Sequence, residues 1–269
     1  MNWIRESELA LEAVSSSTEL IEQSFAGGMA VSTKGAPRDT VTEADTSVER
    51  HIARILGRSA HRVVGEEKTG PATDPGTPGP YWAVDPIDGT TNFVSSIPFY
   101  AVSVGLVDGR AFRVGAVSLP ALKELYFTHG DEASFKNGKR LAVKDAALDR
   151  SLIAAAFSSS RADKAMRAQE FAAFGELNDA SRGCLRLGAA SVNVCYVASG
   201  RLQCAYGVRN KIWDVAGALA VTRLAGARVW IDFTPGSEEI SYVVGAPAAA
   251  DSVRDALSAR GLGTFEAMQ

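Results

Sequence analysis

The sequence predicts an α/β fold of the α+β type, in which two β-sheets are separated and covered by helices. Two observations lead to this fold class: strand patterns follow one another between residues 99 and 141, and strands alternate with helices between residues 152 and 258. The chain of 269 residues shows no internal repeat. It is long enough for one large domain or two tightly joined halves, and it needs no disulfide or structural metal to hold a core.

The first half is predicted to begin with two amphipathic helices. Apolar residues at helical spacing predict a first helix that ends at Gly27 and Gly28. A second helix starts near Thr42, because Thr42 and Asp45 have the spacing of a helix-capping pair. Strands are predicted at 62–65, 81–84, 99–106, 113–119 and 124–128. A proline-rich surface loop separates the first two of these strands, and the Asn-Gly dipeptide at 137–138 is typical of a hairpin turn.

The second half is predicted to alternate between strands and helices. The strands are expected at 152–156, 202–205 and 242–244, and the helices at 162–174, 189–198, 214–225 and 248–258. Ser160 is expected to cap the first of these helices.

Composition and charge argue against several classes of protein. Lys and Arg number 28 against 31 Asp and Glu, a formal charge of -3, so the basic excess of a nucleic-acid or anionic-membrane binder is missing. Three scattered cysteines predict neither a disulfide framework nor a Cys-x-x-Cys metal site. The first residues lack the pattern of a signal peptide, and no apolar stretch has the length of a membrane span. We therefore expect a cytoplasmic protein.

Motifs for several common chemistries are also missing from the sequence. The three histidines do not form a metal-binding pair, and no Gly-x-Ser-x-Gly elbow of a serine hydrolase is present. Neither the glycine-rich dinucleotide motif nor the Gly-Lys-Ser/Thr phosphate loop occurs. Nicotinamide and nucleoside-triphosphate chemistry are therefore not indicated.

Paired carboxylates after a strand are the main chemical feature. Asp85 and Asp88 stand three positions apart in a predicted turn, with Pro86 between them. Both carboxylates and the Ile87 carbonyl can face one space, and three oxygen ligands of this kind suit Mg²⁺ or Mn²⁺ better than zinc. A metal would also keep two neighbouring buried carboxylates ionised. The alternative at this point is an ordinary capped turn.

The residues after this pair predict an anion site beside the cation site. The sequence Gly89-Thr90-Thr91 opens a predicted helix, whose free N–H groups and dipole favour a phosphate. Glu66 follows a strand, whereas Asp214 and Asp45 stand at helix starts. Helix capping is the alternative role for Asp214 and Asp45.

Taken together, these segments resemble the inositol monophosphatase family. The resemblance rests on Gly65-Glu66-Glu67, on the string from Trp82 through Asp85-Pro86-Ile87-Asp88-Gly89-Thr90-Thr91 to Phe93, and on Trp213-Asp214-Val215-Ala216-Gly217-Ala218. Weaker matches are the stretches 39–45, 137–138 and 188–193. The similarity extends from about residue 34 to about residue 227.

The resemblance implies a layered α-β-α-β-α sandwich and a Mg²⁺-dependent hydrolase of phosphate monoesters. It implies one family domain over 1–269, with halves of about 1–145 and 146–269, and a homodimer. Two or three Mg²⁺ ions, replaceable by Mn²⁺, are implied as cofactors. The implied substrate is a small phosphorylated metabolite, such as a polyol or sugar phosphate, with neither nucleic acid nor membrane as a partner.

The same resemblance assigns roles to individual residues. The implied metal ligands are Glu66, Asp85, the Ile87 carbonyl, Asp88 and Asp214. Asp45 and Thr90 would orient the attacking water, with Glu66 as a further catalytic residue. Gly89, Thr90 and Thr91 would receive the phosphate.

Substrate choice is where the sequence departs from the family pattern. Gly207 stands where inositol-hydrolysing members often have a glutamate that binds ring hydroxyls. Arg209 and Lys211 follow it and are either solvated charges or ligands for a second anionic group. Ser159 matches a segment near the substrate hydroxyls. Fructose 1,6-bisphosphate, adenosine 3′,5′-bisphosphate and histidinol phosphate remain alternative substrates, and a non-catalytic binding protein is the alternative of a different class.

Overall fold

A computed structural model describes residues 2–27, 31–33, 40–68, 79–158 and 163–268. Its helices are α1 (Ile4–Gly27), α2 (Glu43–Leu56), α3 (Thr90–Val94), α4 (Lys164–Ala180), α5 (Ala190–Ala198), α6 (Ile212–Leu224) and α7 (Pro247–Ala259). Its strands are β1 (Val31–Thr33), β2 (Thr40–Thr42), β3 (Arg62–Gly65), β4 (Tyr81–Asp88), β5 (Ala101–Asp108), β6 (Ala111–Leu119), β7 (Glu124–His129), β8 (Ala133–Lys136), β9 (Lys139–Arg140), β10 (Ile153–Ala156), β11 (Cys184–Leu185), β12 (Cys204–Lys211), β13 (Arg228–Phe233), β14 (Glu239–Gly245) and β15 (Glu266–Ala267).

The first sheet contains the predicted run of strands. Its order is β3-β4-β5-β6-β7-β8-β9, with β3 parallel to β4 and every later neighbour antiparallel. The predicted hairpin turn is confirmed, because Asn137 and Gly138 both have positive φ angles, of 47° and 76°. The predicted loop between β3 and β4 lies mostly outside the described residues.

The second sheet has the order β11-β10-β12-β14-β13-β15. Its strands β10, β12 and β14 were predicted, but β12 is twice as long as expected and extends to Lys211. Strand β13 was missed although Val229, Ile231 and Phe233 alternate in the way a strand requires. Strands β11 and β15 are two residues each, too short for a sequence pattern.

The layers are those expected for the fold class, which is confirmed. One apolar cluster joins α1 and α2 to the first sheet, a second surrounds α5 and α6 between the sheets, and a third joins α4 and α7 to the second sheet. The order of layers is therefore α-β-α-β-α. Helix α6 lies very close to the first sheet: a Cβ added at Gly105 would stand 2.5 Å from the backbone nitrogen of Gly217.

Three local expectations were wrong at the ends of elements. Strand β4 continues to Asp88, so the Asp85–Asp88 segment is extended rather than a turn. Helix α6 begins at Ile212, two residues before the predicted start, so Asp214 is its third residue; the Asp214 carboxylate nevertheless takes part in capping, because it accepts a hydrogen bond from the Lys211 backbone nitrogen. Helix α4 is capped by Asp163, whose carboxylate accepts a hydrogen bond from the Met166 backbone nitrogen; Ser160 lies outside the described residues.

The cysteines and the helix lengths complete the description of the fold. Cys184, Cys195 and Cys204 are buried free thiols. Among the described helices, none has the length and apolar character needed to cross a bilayer.

Candidate active site

An irregular strand end places Asp85 and Asp88. In the pairing of β4 with β5, Asp85 lies opposite Ser103 and Asp88 lies opposite Ala101. An advance of three residues along β4 therefore corresponds to only two residues along β5. Residues three apart on a regular strand point to opposite faces, whereas the one extra residue of a bulge brings them to the same side. The bulge therefore does what the sequence analysis expected of a turn.

Asp88 is held by the start of α5. Its carboxylate accepts hydrogen bonds from the backbone nitrogens of Ser191 (2.7 Å) and Ala190 (3.2 Å), and from the Ser191 hydroxyl. Burial raises the pKa of Asp88 to about 6, and these hydrogen bonds oppose the rise. The contact of Ser191 with Asp88 was missed by the sequence analysis, although Ser191 lies within the 188–193 stretch that resembles the family.

Glu66 and Asp214 approach Asp85 from two other elements. Glu66 follows β3, and its backbone nitrogen donates to the Val84 carbonyl at 3.1 Å. Burial raises the pKa of Asp85 far above its usual value, and the negative charges of Glu66, Asp88 and Asp214 raise it further. A hydrogen bond between the Glu66 and Asp85 side chains acts in the same direction. Asp214 accepts a hydrogen bond from the Lys211 backbone nitrogen at 3.1 Å, and burial, Asp88 and Glu66 raise its pKa. The structure thus brings four carboxyl groups into one electrostatic centre.

The donors of this centre fit a hard divalent cation. Buried carboxylates that raise each other's pKa need either protons or a cation between them, and oxygen-only donors favour Mg²⁺ or Mn²⁺. Within the described ranges, no three acidic, histidine or cysteine side chains are already gathered as a complete ligand set for one ion. In this arrangement Asp88 is hydrogen-bonded to Ser191, and Asp85 to Glu66.

The Gly89-Thr90-Thr91 segment lies directly beside Asp88. Gly89 has φ +87°, and a Cβ there would stand 3.0 Å from both the Ala189 Cβ and the Phe99 carbonyl oxygen. Thr90 begins the short helix α3, and its hydroxyl donates to the Ile87 carbonyl at 2.9 Å. Thr91 is exposed. A substituted residue would fit poorly at position 89, which explains the glycine.

Helix α2 supplies two buried acids behind this centre. Asp45, in its first turn, has 1% of its surface exposed. Glu49, one turn later, is equally buried, and its carboxylate accepts a hydrogen bond from the Glu67 backbone nitrogen at 2.7 Å. That carboxylate also fills the space in which a side chain at position 65 would lie. Glu49 therefore fixes the chain that carries Glu66, a role that the sequence analysis missed.

Comparisons with known proteins identify the family. The profile of the inositol monophosphatase family matches residues 5–259. Inositol monophosphatase 3 of Solanum lycopersicum is 34% identical over 237 residues, which are 86% of this chain and 87% of that protein. Inositol monophosphatase 1 of Bos taurus is 30% identical over 238 residues, covering 87% of this chain and 86% of that protein.

The chain belongs to the inositol monophosphatase family. Both relatives are named as inositol monophosphatases, and this family member is an enzyme of the same class, a phosphoric monoester hydrolase. The solved structure of SuhB from Mycobacterium tuberculosis is similar, with a TM-score of 0.77 at 26% identity over 96% of this chain and 97% of that one. The resemblance seen in the sequence is thereby confirmed.

The surroundings of Gly207 leave no room for a side chain at this position. Asn210 Oδ1 and the Tyr242 ring occupy the space that a side chain at position 207 would need. Both residues are buried, and among the described residues neither Asn210 Oδ1 nor the Tyr242 hydroxyl has a hydrogen-bond partner. Burial raises the pKa of Tyr242, and the charges of Asp88 and Asp214 raise it further. A glutamate could not be accommodated at position 207 without moving these two side chains.

The two cations that follow Gly207 have different surroundings. Lys211 Nζ lies 3.9 Å from a Glu238 carboxylate oxygen and 3.8 Å from one of Glu239, so its charge is compensated. Arg209 is exposed, with a positive φ of 47°, at the irregular part of β12. Ser159 lies outside the described residues. Of the two cations, Arg209 is the better candidate for a second anionic group.

The sequence analysis also missed a basic group near Arg209. The Arg186 guanidinium carbon lies 5.3 Å from the centre of the Phe157 ring. Glu170 accepts a hydrogen bond from the Ser158 backbone nitrogen at 2.8 Å. Burial raises the pKa of Glu170, while Arg186 and Arg209 act on the same carboxyl in the opposite direction. Arg186 and Arg209 are therefore both close enough to the Glu170 carboxylate to act on its pKa.

Proposed function

We propose that this enzyme hydrolyses the phosphate monoester of a small polyol or sugar, as an inositol 1-phosphatase does. The observation that carries the proposal is the convergence of Glu66, Asp85, Asp88 and Asp214 from β3, β4 and α6, with mutually raised pKa values at Asp85 and Asp214. Such a centre binds hard cations, and Gly89 places backbone N–H groups beside it. The names of the relatives support the substrate class.

We assign the metal ligands to the four carboxylates and the Ile87 carbonyl. Two or three Mg²⁺ ions, or Mn²⁺ in their place, would be held there. When bound, they supply an activated water at neutral pH and stabilise charge on the leaving oxygen. Ser191 orients Asp88, and Glu49 orients the segment that carries Glu66, so these two side chains prepare the ligand positions.

The protein's own groups position the water and the phosphate. We assign Asp45, Thr90 and Glu66 to orienting the attacking water, and Gly89, Thr90 and Thr91 to receiving the phosphate. The hydrogen bond from Thr90 to the Ile87 carbonyl links the water-orienting hydroxyl to a metal ligand. Backbone N–H groups fixed by the Gly89 turn need no reorganisation when charge develops on the phosphoryl oxygens.

A phosphate-release assay tests this function. Purified enzyme with Mg²⁺ should release phosphate from a panel of inositol 1-phosphate, glycerol 2-phosphate, histidinol phosphate, fructose 1,6-bisphosphate and adenosine 3′,5′-bisphosphate. EDTA should abolish the release, and Asp88→Asn should lower kcat/KM by about a hundredfold or more. Asp149→Asn, which alters an exposed carboxylate, is the matched control and should keep wild-type activity. No turnover on any of these esters by folded, metal-bound protein would overturn the proposal in favour of a binding protein.

A second candidate substrate class is a bisphosphate. Exposed Arg209, with Arg186 near the same carboxylate, favours an additional anionic group on the substrate. Arg209→Ala should then reduce kcat/KM more for bisphosphates than for monophosphates, whereas Lys211→Ala should have little selective effect. Equal losses on both substrates would exclude this role for Arg209.

We further propose the molecular setting implied by the family. The chain would act as one domain over 1–269, with halves of about 1–145 and 146–269, as a homodimer in the cytoplasm. Size-exclusion chromatography with light scattering measures the oligomeric state directly, and a monomeric mass would contradict the homodimer.

A further inference from the structure

A cleft on a different side of the molecule is lined by three arginines. It lies between the end of β5, the start of β6, the last turn of α6 and the strands β13 and β15, of which β15 is the edge of the second sheet, and its volume is about 630 Å³. Arg223 in this cleft follows Asp214 by nine residues on α6, a rise of roughly 14 Å along the helix axis. The cleft is therefore distinct from the acidic centre: α6 contributes Asp214 to the acidic centre and Arg223 to the cleft.

The arginines of this cleft have poor partners. Arg113 Nε lies 3.4 Å from Asp108 Oδ2, and Arg223 Nη2 lies 3.8 Å from Asp131 Oδ1. Both nitrogens are buried, and neither has a hydrogen-bond partner among the described residues. Arg110, at the rim, pairs with Glu266 at 3.2 Å. The Arg113 side chain is about one third exposed and that of Arg223 about one fifth, so only part of each guanidinium is shielded from water. Because a guanidinium binds carboxylate or phosphate best in a bidentate way, the buried nitrogens of these two inner arginines are incompletely satisfied.

The inner arginines also repel each other. Burial lowers the pKa of Arg223, Asp131 opposes this effect, and the charge of Arg113 lowers the pKa further. Asp108 and Asp131 compensate these charges only one at a time and at 3.4 and 3.8 Å, whereas an anion between the two guanidinium groups would offset their mutual repulsion directly. A phosphate group carries up to two negative charges and enough oxygens to accept hydrogen bonds from both guanidinium groups.

The remaining walls suit the body of a small molecule. Ile231, Phe233 and Met268 form an apolar side, and the volume falls within the usual range for small-ligand sites. We propose that this cleft is a second binding site, in which Arg113 and Arg223 hold the phosphate group of a small phosphorylated metabolite. The site requires no catalysis and is independent of the proposed phosphatase reaction.

Phosphate binding by the full-length chain in EDTA tests this site. Without cations the acidic centre repels phosphate, so calorimetric titration with inorganic phosphate reports the arginine cleft. Saturable binding to wild type is expected, with affinity about tenfold or more weaker in Arg113→Met. Arg228→Met, which removes a half-exposed arginine of β13 outside the cleft, is the matched control and should bind like wild type.

Two further measurements keep the test decisive if Arg113→Met folds poorly. Arg110→Gln changes only the exposed rim and should weaken binding less than the inner substitution. Crystals of wild-type protein soaked in tungstate should show anomalous density between Arg113 and Arg223. Absence of saturable binding, equal affinity in wild type and folded Arg113→Met, or tungstate only elsewhere would overturn the proposal. Because no turnover is measured, these outcomes are separate from those of the phosphatase assay.

Discussion

Asp88→Asn should change how the stability of the metal-free enzyme depends on pH. The Asp88 carboxyl is buried, and its pKa is about 6 in the folded protein against 3.8 as its ordinary value. A raised carboxyl pKa means that the folded state binds the proton more tightly, so stability is full below about pH 4 and falls as the pH rises through about 6. Asparagine has a similar shape but cannot ionise, so the variant lacks this contribution.

The magnitude follows from the two pKa values. Between about pH 4 and about pH 7, wild type should lose about 2 kcal/mol of unfolding free energy relative to Asp88→Asn. The substitution also disturbs the hydrogen bonds from Ser191 and Ala190, which favour the ionised carboxylate, and the part of their effect that depends on pH is already contained in the pKa of about 6. The pH dependence of the difference therefore isolates the buried charge.

Urea unfolding in EDTA at several pH values measures this difference. Asp149→Asn is the control, because it makes the same chemical change at an exposed carboxylate instead of a buried one. If the difference in unfolding free energy between wild type and Asp88→Asn is the same at pH 4 and pH 7, or changes in the opposite direction, the Asp88 carboxyl does not have a raised pKa in the metal-free protein.

Three further predictions concern packing and a buried ion network. Burial raises the pKa of Glu124, but hydrogen bonds from Arg201, Lys136 and Tyr126 outweigh this effect and lower the pKa to about 2. The stability that these hydrogen bonds add is present above about pH 4.5 and is lost as the pH falls towards 2. In urea unfolding, Glu124→Gln should therefore cost about 1 to 3 kcal/mol at pH 7 and much less near pH 2. Gly207→Ala should destabilise by about 1 to 3 kcal/mol, with part recovered in the double variant with Asn210→Ala; a neutral single variant would contradict the crowding. Gly105→Ala should separate α6 from the first sheet and lower the melting temperature, whereas Gly175→Ala in the open interior of α4 should raise stability by about 0.5 to 1 kcal/mol.

Local patterns were sufficient to predict the acidic centre. Glu66 follows the apolar strand β3, and Asp85 and Asp88 lie in the last four residues of β4. A strand end is where a side chain can leave the sheet and face a site. The motifs also placed Asp214 at the start of a helix, although its position within that helix was two residues off. Each of these features depends on a few neighbouring residues, which is why the sequence alone reveals them.

Features that depend on distant residues could not be predicted. The bulge in β4 exists because of its pairing with β5, and the role of Glu49 depends on contact with the chain after β3. The crowding at Gly207 involves Tyr242 on a neighbouring strand, 35 positions away in the numbering of the chain. Such contacts are set by tertiary packing, and no local periodicity reports them.

Anomalous diffraction from crystals grown with Mn²⁺ tests the central claim most directly. Manganese peaks should lie among the carboxylates of Glu66, Asp85, Asp88 and Asp214, with the Ile87 carbonyl as an additional oxygen ligand. Ordered protein with these four side chains visible and manganese bound only elsewhere would contradict the account.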